Sequence, residues 1–304
     1  MSMENKDIDS GSIQEKRSVK IPSLRVLLAV IVTVSVIVCA LYIPMVLTEP
    51  DAHIYPDYPM EDLGPLLSKD SFSDEDYLTL YYQTGLGRPA VDEIRELYDD
   101  WQERILRFQQ NFFRKVDYVC EKNSPISREE SIVDENGNYI SGTETAPLHE
   151  GYILITKSSH TYGWRNGHAA LVVDAAGGKT LESVVLGENS SVQDISKWTN
   201  YPNFMLLRPK GATYDEMRQA AQTASEVLFD IPYDFTVGIF SPKAADKDKI
   251  KGTQCSHLVW QAYYYYGYDL DSDGGLIVTP KDIANSPELE VVQVYGVDPR
   301  NIWP

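Results

Sequence analysis

The sequence predicts an α+β fold, an antiparallel sheet with packed helices, and three observations carry that expectation. Strand-like runs at Tyr152–Thr156, His168–Asp174, Thr180–Leu186 and Phe204–Arg208 come first, helices at Tyr214–Phe229 and Gln254–Tyr266 follow, and a late strand, Glu290–Tyr295, closes the order. Runs of strands followed by grouped helices are the pattern of an α+β chain. Ala175-Ala176-Gly177 reads as a three-residue hairpin turn, which makes its two flanking strands antiparallel neighbours. Thr213 with Glu216 three residues later reads as a capping box, and Gly267 ends the last helix.

Ahead of this lies a different kind of segment. Residues 1–25 form a polar tail, and Val26 to Leu47 (VLLAVIVTVSVIVCALYIPMVL) holds no charge at all. That run is long enough to cross a hydrocarbon core of roughly 30 Å at about 1.5 Å per residue, so residues 26–47 read as a transmembrane signal anchor. Lys16, Arg17, Lys20 and Arg25 precede it and Glu49, Asp51, Asp57, Glu61 and Asp62 follow, which places the N-terminus in the cytoplasm and the rest outside the cell membrane as a single-pass protein. A cleaved signal peptide is the alternative, but the run exceeds the roughly 7–15 residues of a signal h-region and no small-x-small site closes it. Val38 ahead of Cys39 does not make a lipid-attachment box, so Cys39 packs within the span.

The tail carries five Lys/Arg against four Asp/Glu, or +1 of the total −18, so the remainder carries −19. Such acidity excludes nucleic acid as a partner and suits the solubility of an exported domain. Outside the span only Cys120 and Cys255 remain, too few for a disulfide framework.

Residues 48–72, rich in Pro, Asp and Tyr, read as an extended linker. Residues 73–122 read as a helical segment. Ser73 with acidic residues behind it opens a short helix that Gly85 closes. A long helix is then expected from Pro89 to Cys120, because Ile94, Leu97, Trp101, Ile105, Phe108, Phe112, Val116 and Val119 recur at spacings of three and four. The stripe is expected to pack on the following domain; a second reading is a parallel coiled-coil stalk through 89–120 that makes a homodimer. Residues 123–146 turn polar, with Asn136-Gly137 as a tight turn, and the compact domain is expected over 147–304.

Two segments carry chemistry. Cys255 stands in the first turn of a predicted helix, where free N–H groups and the helix dipole favour a thiolate and offer one arm of an oxyanion hole. A small buried hydrophobe is the plainer reading of the same residue. His168 begins an apolar strand after Gly167, where its ring nitrogens need partners. If Asp174 pairs with Gly178, Glu182 falls opposite Ala170, on the face of His168 and one diagonal step away. Glu182 then holds one ring nitrogen while the other faces Cys255; Gln193 and Asp194 are lesser candidates for that third role.

The combination of Gly167-His168-Ala169, a hairpin, an acidic residue about a dozen positions on, and then Cys255-Ser256-His257-Leu258-Val259-Trp260 resembles the circularly permuted papain-like cysteine hydrolases of the NlpC-type superfamily, the YiiX and YycO-like branch. In ordinary members the cysteine helix precedes the histidine strand; here the order is reversed, and the resemblance covers Pro147 to the C-terminus. It implies Cys255 as nucleophile, His168 as base and Glu182 as orienting residue. Ile231-Pro232-Tyr233-Asp234 resembles the family's Pro-Tyr segment, which makes Tyr233 a pocket or oxyanion candidate. The family opens its first strand with Gly-Asp, where this chain has Gly151-Tyr152. By resemblance the substrate is a cell-wall peptide cleaved through a thioester, while lipid acyl transfer with the same machinery is the competing reading; a non-catalytic surface protein that binds through the cleft is a third.

Trp164 and Gly167 are expected to line the substrate site, with His160 and Tyr162 on the same approach. His257 lies two residues after Cys255, about 200° round the helix, and is expected to be a packing or surface histidine. Asp269 to Gly274 matches the first half of a calcium loop, but Pro280 stands where the twelfth-position glutamate belongs, so it reads as a carboxylate-rich turn. Cysteine chemistry of this kind requires no cofactor and no metal.

Overall fold

A computed structural model of the chain describes residues 24–47 and 51–304, with side chains in the first stretch described for 24–40 and 43. All but the last two residues of the expected tail 1–25 lie outside the described residues. The chain divides into two units, Met1–Glu49 and Pro50–Pro304. The first is the helix α1, Leu24–Leu47. Among the described residues no helix is long and apolar enough to cross a membrane.

The second unit contains, in chain order, α2 Gly64–Leu67, α3 Asp74–Thr84, α4 Arg88–Leu97, α5 Trp101–Phe113, β1 Asp117–Lys122, β2 Ser127–Val133, β3 Ile153–Thr156, β4 Ser159–Thr161, β5 His168–Asp174, β6 Lys179–Glu182, β7 Ser191–Asp194, α6 Ser196–Asn200, β8 Phe204–Pro209, α7 Tyr214–Val227, α8 Cys255–Tyr264, α9 Pro280–Ala284 and β9 Leu289–Tyr295. The architecture is mixed α+β. Six strands form an antiparallel sheet in the order β7-β6-β5-β3-β8-β9, and β1-β2-β4 form a second, three-stranded sheet.

Both faces of the central strands β5, β3 and β8 are buried. Ile153, Ile155, Ala169, Leu171, Met205 and Leu207 pack with Ala220, Ala224, Leu258, Val259 and Ala262 of α7 and α8. The alternate residues Leu154, Ala170, Val172 and Leu206 pack with Leu80, Val91, Ile94, Ile105 and Phe108 of α3, α4 and α5. A strand covered on two faces reads as a continuous apolar run, which is why Ala169 to Val172 show no alternation.

The capping signals produce the helix ends they predict. Ser73 and Thr213 each accept from the N3 amide in a complete capping box, and Gly85 closes α3 at φ 74°, where an added Cβ would lie 2.1 Å from Val294 O.

Four expectations about the N-terminal half are corrected. The helix expected from Pro89 to Cys120 is two helices and a strand: Tyr98 turns extended at φ −126°, Asp99-Asp100 separate α4 from α5, and Arg114 ends α5 by bonding Ser141 O and Gly142 O at 3.0 and 2.6 Å. Asp favours helix ends over interiors because its side chain competes for backbone groups. Val119 therefore lies in β1, and the apolar stripe of α4 and α5, apart from exposed Leu97, packs into the core of its own chain. The linker 48–72 is no tether in its described part: Ala52 and His53 are buried, His53 Nδ1 meets Pro202 O at 2.6 Å and Ile54 N donates to Gly296 O at 3.0 Å. The compact unit accordingly starts at Pro50 instead of Pro147. The polar stretch 123–146 contains β2, although Asn136-Gly137 does form a tight turn, with Gly137 N donating to Asp134 O at 2.9 Å.

Because Ile94 is fully buried between α4 and the sheet, Ile94→Ala is expected to destabilise the protein by about 2–5 kcal/mol in urea unfolding; a helix standing free as a stalk would lose under about 0.5 kcal/mol.

Candidate active site

Glu182 is the last residue of β6, and the register of the hairpin puts it beside His168. Leu171 pairs with Leu181 and Val172 with Thr180, so the ladder extends to Ala170 opposite Glu182. The turn differs from the three residues expected: Asp174 pairs with Lys179, and a bulge between Val172 and Asp174 absorbs the extra residue. The bulge leaves the pairing beyond it, and hence the face of Glu182, where the sequence places it.

His168 Nε2 and Glu182 Oε2 are 2.6 Å apart, both side chains buried. Lys197 Nζ donates to the same oxygen at 2.6 Å, while Thr180 Oγ1 and Trp198 Nε1 donate to Oε1 at 2.6 and 3.1 Å. Trp198 also stacks on the His168 ring, centroids 5.7 Å apart and planes 18° from parallel. With Nε2 committed to the carboxylate, Nδ1 is the ring nitrogen left for the Cys255 thiol, with which the ring interacts.

Cys255 opens α8 at the sheet end where β5 begins. Gln254 is the N-cap; its Oε1 accepts from Ser256 N at 3.0 Å and Ser256 Oγ at 2.9 Å, while its Nε2 donates to Val278 O at 2.7 Å. This fixes the first turn, and with it the direction of the thiol. Gly167, just before His168, has φ 72°; an added Cβ would lie 2.4 Å from Trp303 and 2.6 Å from Thr156 O, so only glycine lets the chain enter β5 here.

Burial by itself pushes the Cys255 thiol up, but the His168 hydrogen bond and charge outweigh it and the thiol lies below its ordinary range. Burial likewise pulls His168 down, yet Cys255 and Glu182 raise it to about 10. Burial raises Glu182, and His168 with Lys197 bring it to about 2. These directions favour the charged form of each group, thiolate, imidazolium and carboxylate.

The thiol faces a cleft of about 570 Å³ whose walls are mostly apolar: Ile126, Trp164, Leu186, Phe235, Val278 and Trp303. Tyr233 lines it beside Cys255, and burial followed by the neighbouring thiolate holds its hydroxyl well above the usual range, so it stays a hydrogen-bond donor. Tyr162 joins Trp164 on the wall, while His160, 3.1 Å from Glu130 Oε1 by its Nε2, lines a smaller adjoining pocket with Gly167, His168 and Cys255. Gln193 bonds Ser191 and Asp194 bonds Lys179 and Ser196, so neither meets His168. His257 is buried, held between Thr253 Oγ1 at 2.9 Å and Lys243 O at 2.8 Å. In the carboxylate-rich turn Lys243 Nζ lies 2.5 Å from Asp271 and Trp260 Nε1 2.7 Å from Asp269. Lys197, Thr180 and Trp198 carried no signal in the sequence, since their role depends on where α6 folds against β6.

No protein-family model and no curated protein matches the sequence. Among solved structures it is similar to metalloprotein yiiX from Escherichia coli O157:H7, at 16% identity over 48% of this chain and 97% of that one, with a TM-score of 0.38. A likeness this distant says nothing of activity.

Glu182→Gln removes the charge that pairs with His168 and Lys197, and is expected to destabilise the protein by about 3–5 kcal/mol near neutral pH. In the wild type, the Glu182 contribution is complete above its unfolded value of 4.5 and is lost as pH falls toward about 2. The His168 contribution is complete below 6.5 and lost as pH rises toward about 10. Thermal melts across pH should therefore show the wild-type advantage over Glu182→Gln greatest between these two values and shrinking on the acid side.

Proposed function

We propose that this protein is a cysteine hydrolase of the permuted papain-like kind, held at the cell membrane by the segment around α1 and acting outside the cytoplasm through a thioester intermediate. The observation that supports the chemistry best is the buried line Cys255, His168, Glu182 opening on a cleft. The anchor is supported by the sequence alone, the 22 uncharged residues from Val26 to Leu47 between a basic and an acidic flank.

In this reading the Cys255 thiolate attacks an acyl carbonyl, and the carbon–sulfur bond forms as the carbonyl π electrons move to oxygen. The free N–H at the first turn of α8 and the Tyr233 hydroxyl receive that oxyanion. His168 Nδ1–H protonates the leaving amine or alkoxide, the thioester remains, and the now neutral imidazole takes a proton from water for the second half-reaction. Glu182 fixes the ring so that Nδ1 points at sulfur throughout.

The walls of the cleft favour an apolar acyl group as the part of the substrate nearest Cys255. That supports a lipid-like acyl ester or amide ahead of the cell-wall peptide that the sequence resemblance suggests. Full-length protein in mild detergent, given acyl esters of increasing chain length and peptidoglycan stem peptides, separates the two. On the acyl reading kcat/KM rises about fourfold per methylene, from ~0.8 kcal/mol each, until the cleft is filled. Turnover of stem peptides alone would favour the wall substrate, and activity retained in Cys255→Ala removes the mechanism altogether.

A further inference from the structure

The three-stranded sheet β1-β2-β4 gathers a second set of reactive side chains. Cys120 on β1 pairs directly with Glu130 on β2, and Arg128, two residues before Glu130, pairs with His160 on β4. Antiparallel register therefore puts Cys120, Glu130 and His160 on one face, Glu130 opposite the cysteine and diagonal to the histidine. Their donor atoms all lie within 4.8 Å of one another, with His160 Nε2 3.1 Å from Glu130 Oε1. Glu130 and His160 are buried; Cys120 is exposed at the rim.

We infer that Cys120, Glu130 and His160 bind a borderline-soft divalent cation such as zinc. Thiolate, imidazole and carboxylate are the donor types zinc takes, and one thiolate and one imidazole disfavour calcium and magnesium. Arg165 does not block the site. Its two terminal nitrogens meet Glu130 Oε2 at 2.6 Å and Oε1 at 2.7 Å. A carboxylate has about four lone-pair positions, so the fork leaves room for a metal bond and orients the ligand as an outer-shell partner does. Binding replaces the Cys120 S–H bond with S–metal and releases the proton to solvent, which makes affinity fall with falling pH. The fourth position is left for water or another donor.

The consequence is mechanical. Ser127 of β2 and Thr161 of β4, with Tyr162, Trp164 and Arg165 that follow, form one wall of the cleft before Cys255. A cation joining β1, β2 and β4 fastens that wall with a polar clip where a small sheet has little apolar core.

The test is cobalt titration of chelator-treated full-length protein carrying Cys255→Ala, so that the cleft thiol is silent. A sulfur-to-cobalt charge-transfer band saturating at one equivalent is expected. Adding Cys120→Ser abolishes the band, and adding His160→Gln weakens binding about tenfold or more. Cys120 is exposed, so its serine variant keeps the metal-free melting temperature, which shows that loss of the band is not loss of the fold. Absence of the band in Cys255→Ala, or its persistence after Cys120→Ser, overturns the assignment. Because Cys255 is absent throughout, failure of the cysteine hydrolase reading leaves the result unchanged.

Discussion

A carboxylate taken out of water is the constraint around which this site is built. Ionised Glu182 in the interior is tolerated only if its lone pairs are occupied and its charge is opposed, because uncompensated burial costs several kcal/mol. The fold supplies both: Thr180 and Trp198 occupy Oε1, and His168 with Lys197 oppose the charge at Oε2. These four partners come from three different steps of the fold. Thr180 lies two residues away on the same strand, His168 across the hairpin, and Lys197 and Trp198 on the short helix after β7. The carboxylate in turn holds the imidazole, and the imidazole lowers the Cys255 thiol. Loss of any link leaves a buried charge without its complement.

The sheet makes that line rigid. Helices cover it on both faces, α7 and α8 on one and α3 to α5 on the other. His168 sits where β5 enters this double cover, and α8 delivers Cys255 at the same end, its first turn fixed by Gln254 between Ser256 and Val278. The thiol and the imidazole are thus carried by regular elements, while the cleft walls come from loops and from the small sheet.

What could be read in advance was local or periodic. The capping boxes at Ser73 and Thr213, the strand His168–Asp174 and the placing of Glu182 opposite Ala170 all follow from spacing within a few residues. The hairpin turn holds four residues where the spacing predicts three, and the bulge leaves the register at Glu182 unchanged because it shifts pairing only near the turn. The helix 89–120 was overextended because its stripe of three- and four-residue spacings continues through Tyr98-Asp99-Asp100; a break costs the pattern nothing when both halves pack on one sheet. Cleft residues such as Phe235, Val278 and Trp303, and the anchors Lys197 and Trp198, were invisible because distant segments bring them together.

The central claim is that His168 keeps Cys255 ionised at rest. The pH dependence of alkylation by iodoacetamide tests it most directly, measured on the wild type and on His168→Gln. The account predicts wild-type reaction that persists well below a free thiol's pKa of about 8.5, and a shift of the whole profile to higher pH when the imidazole is removed. A single titration near or above about 8.5 in both proteins would contradict it.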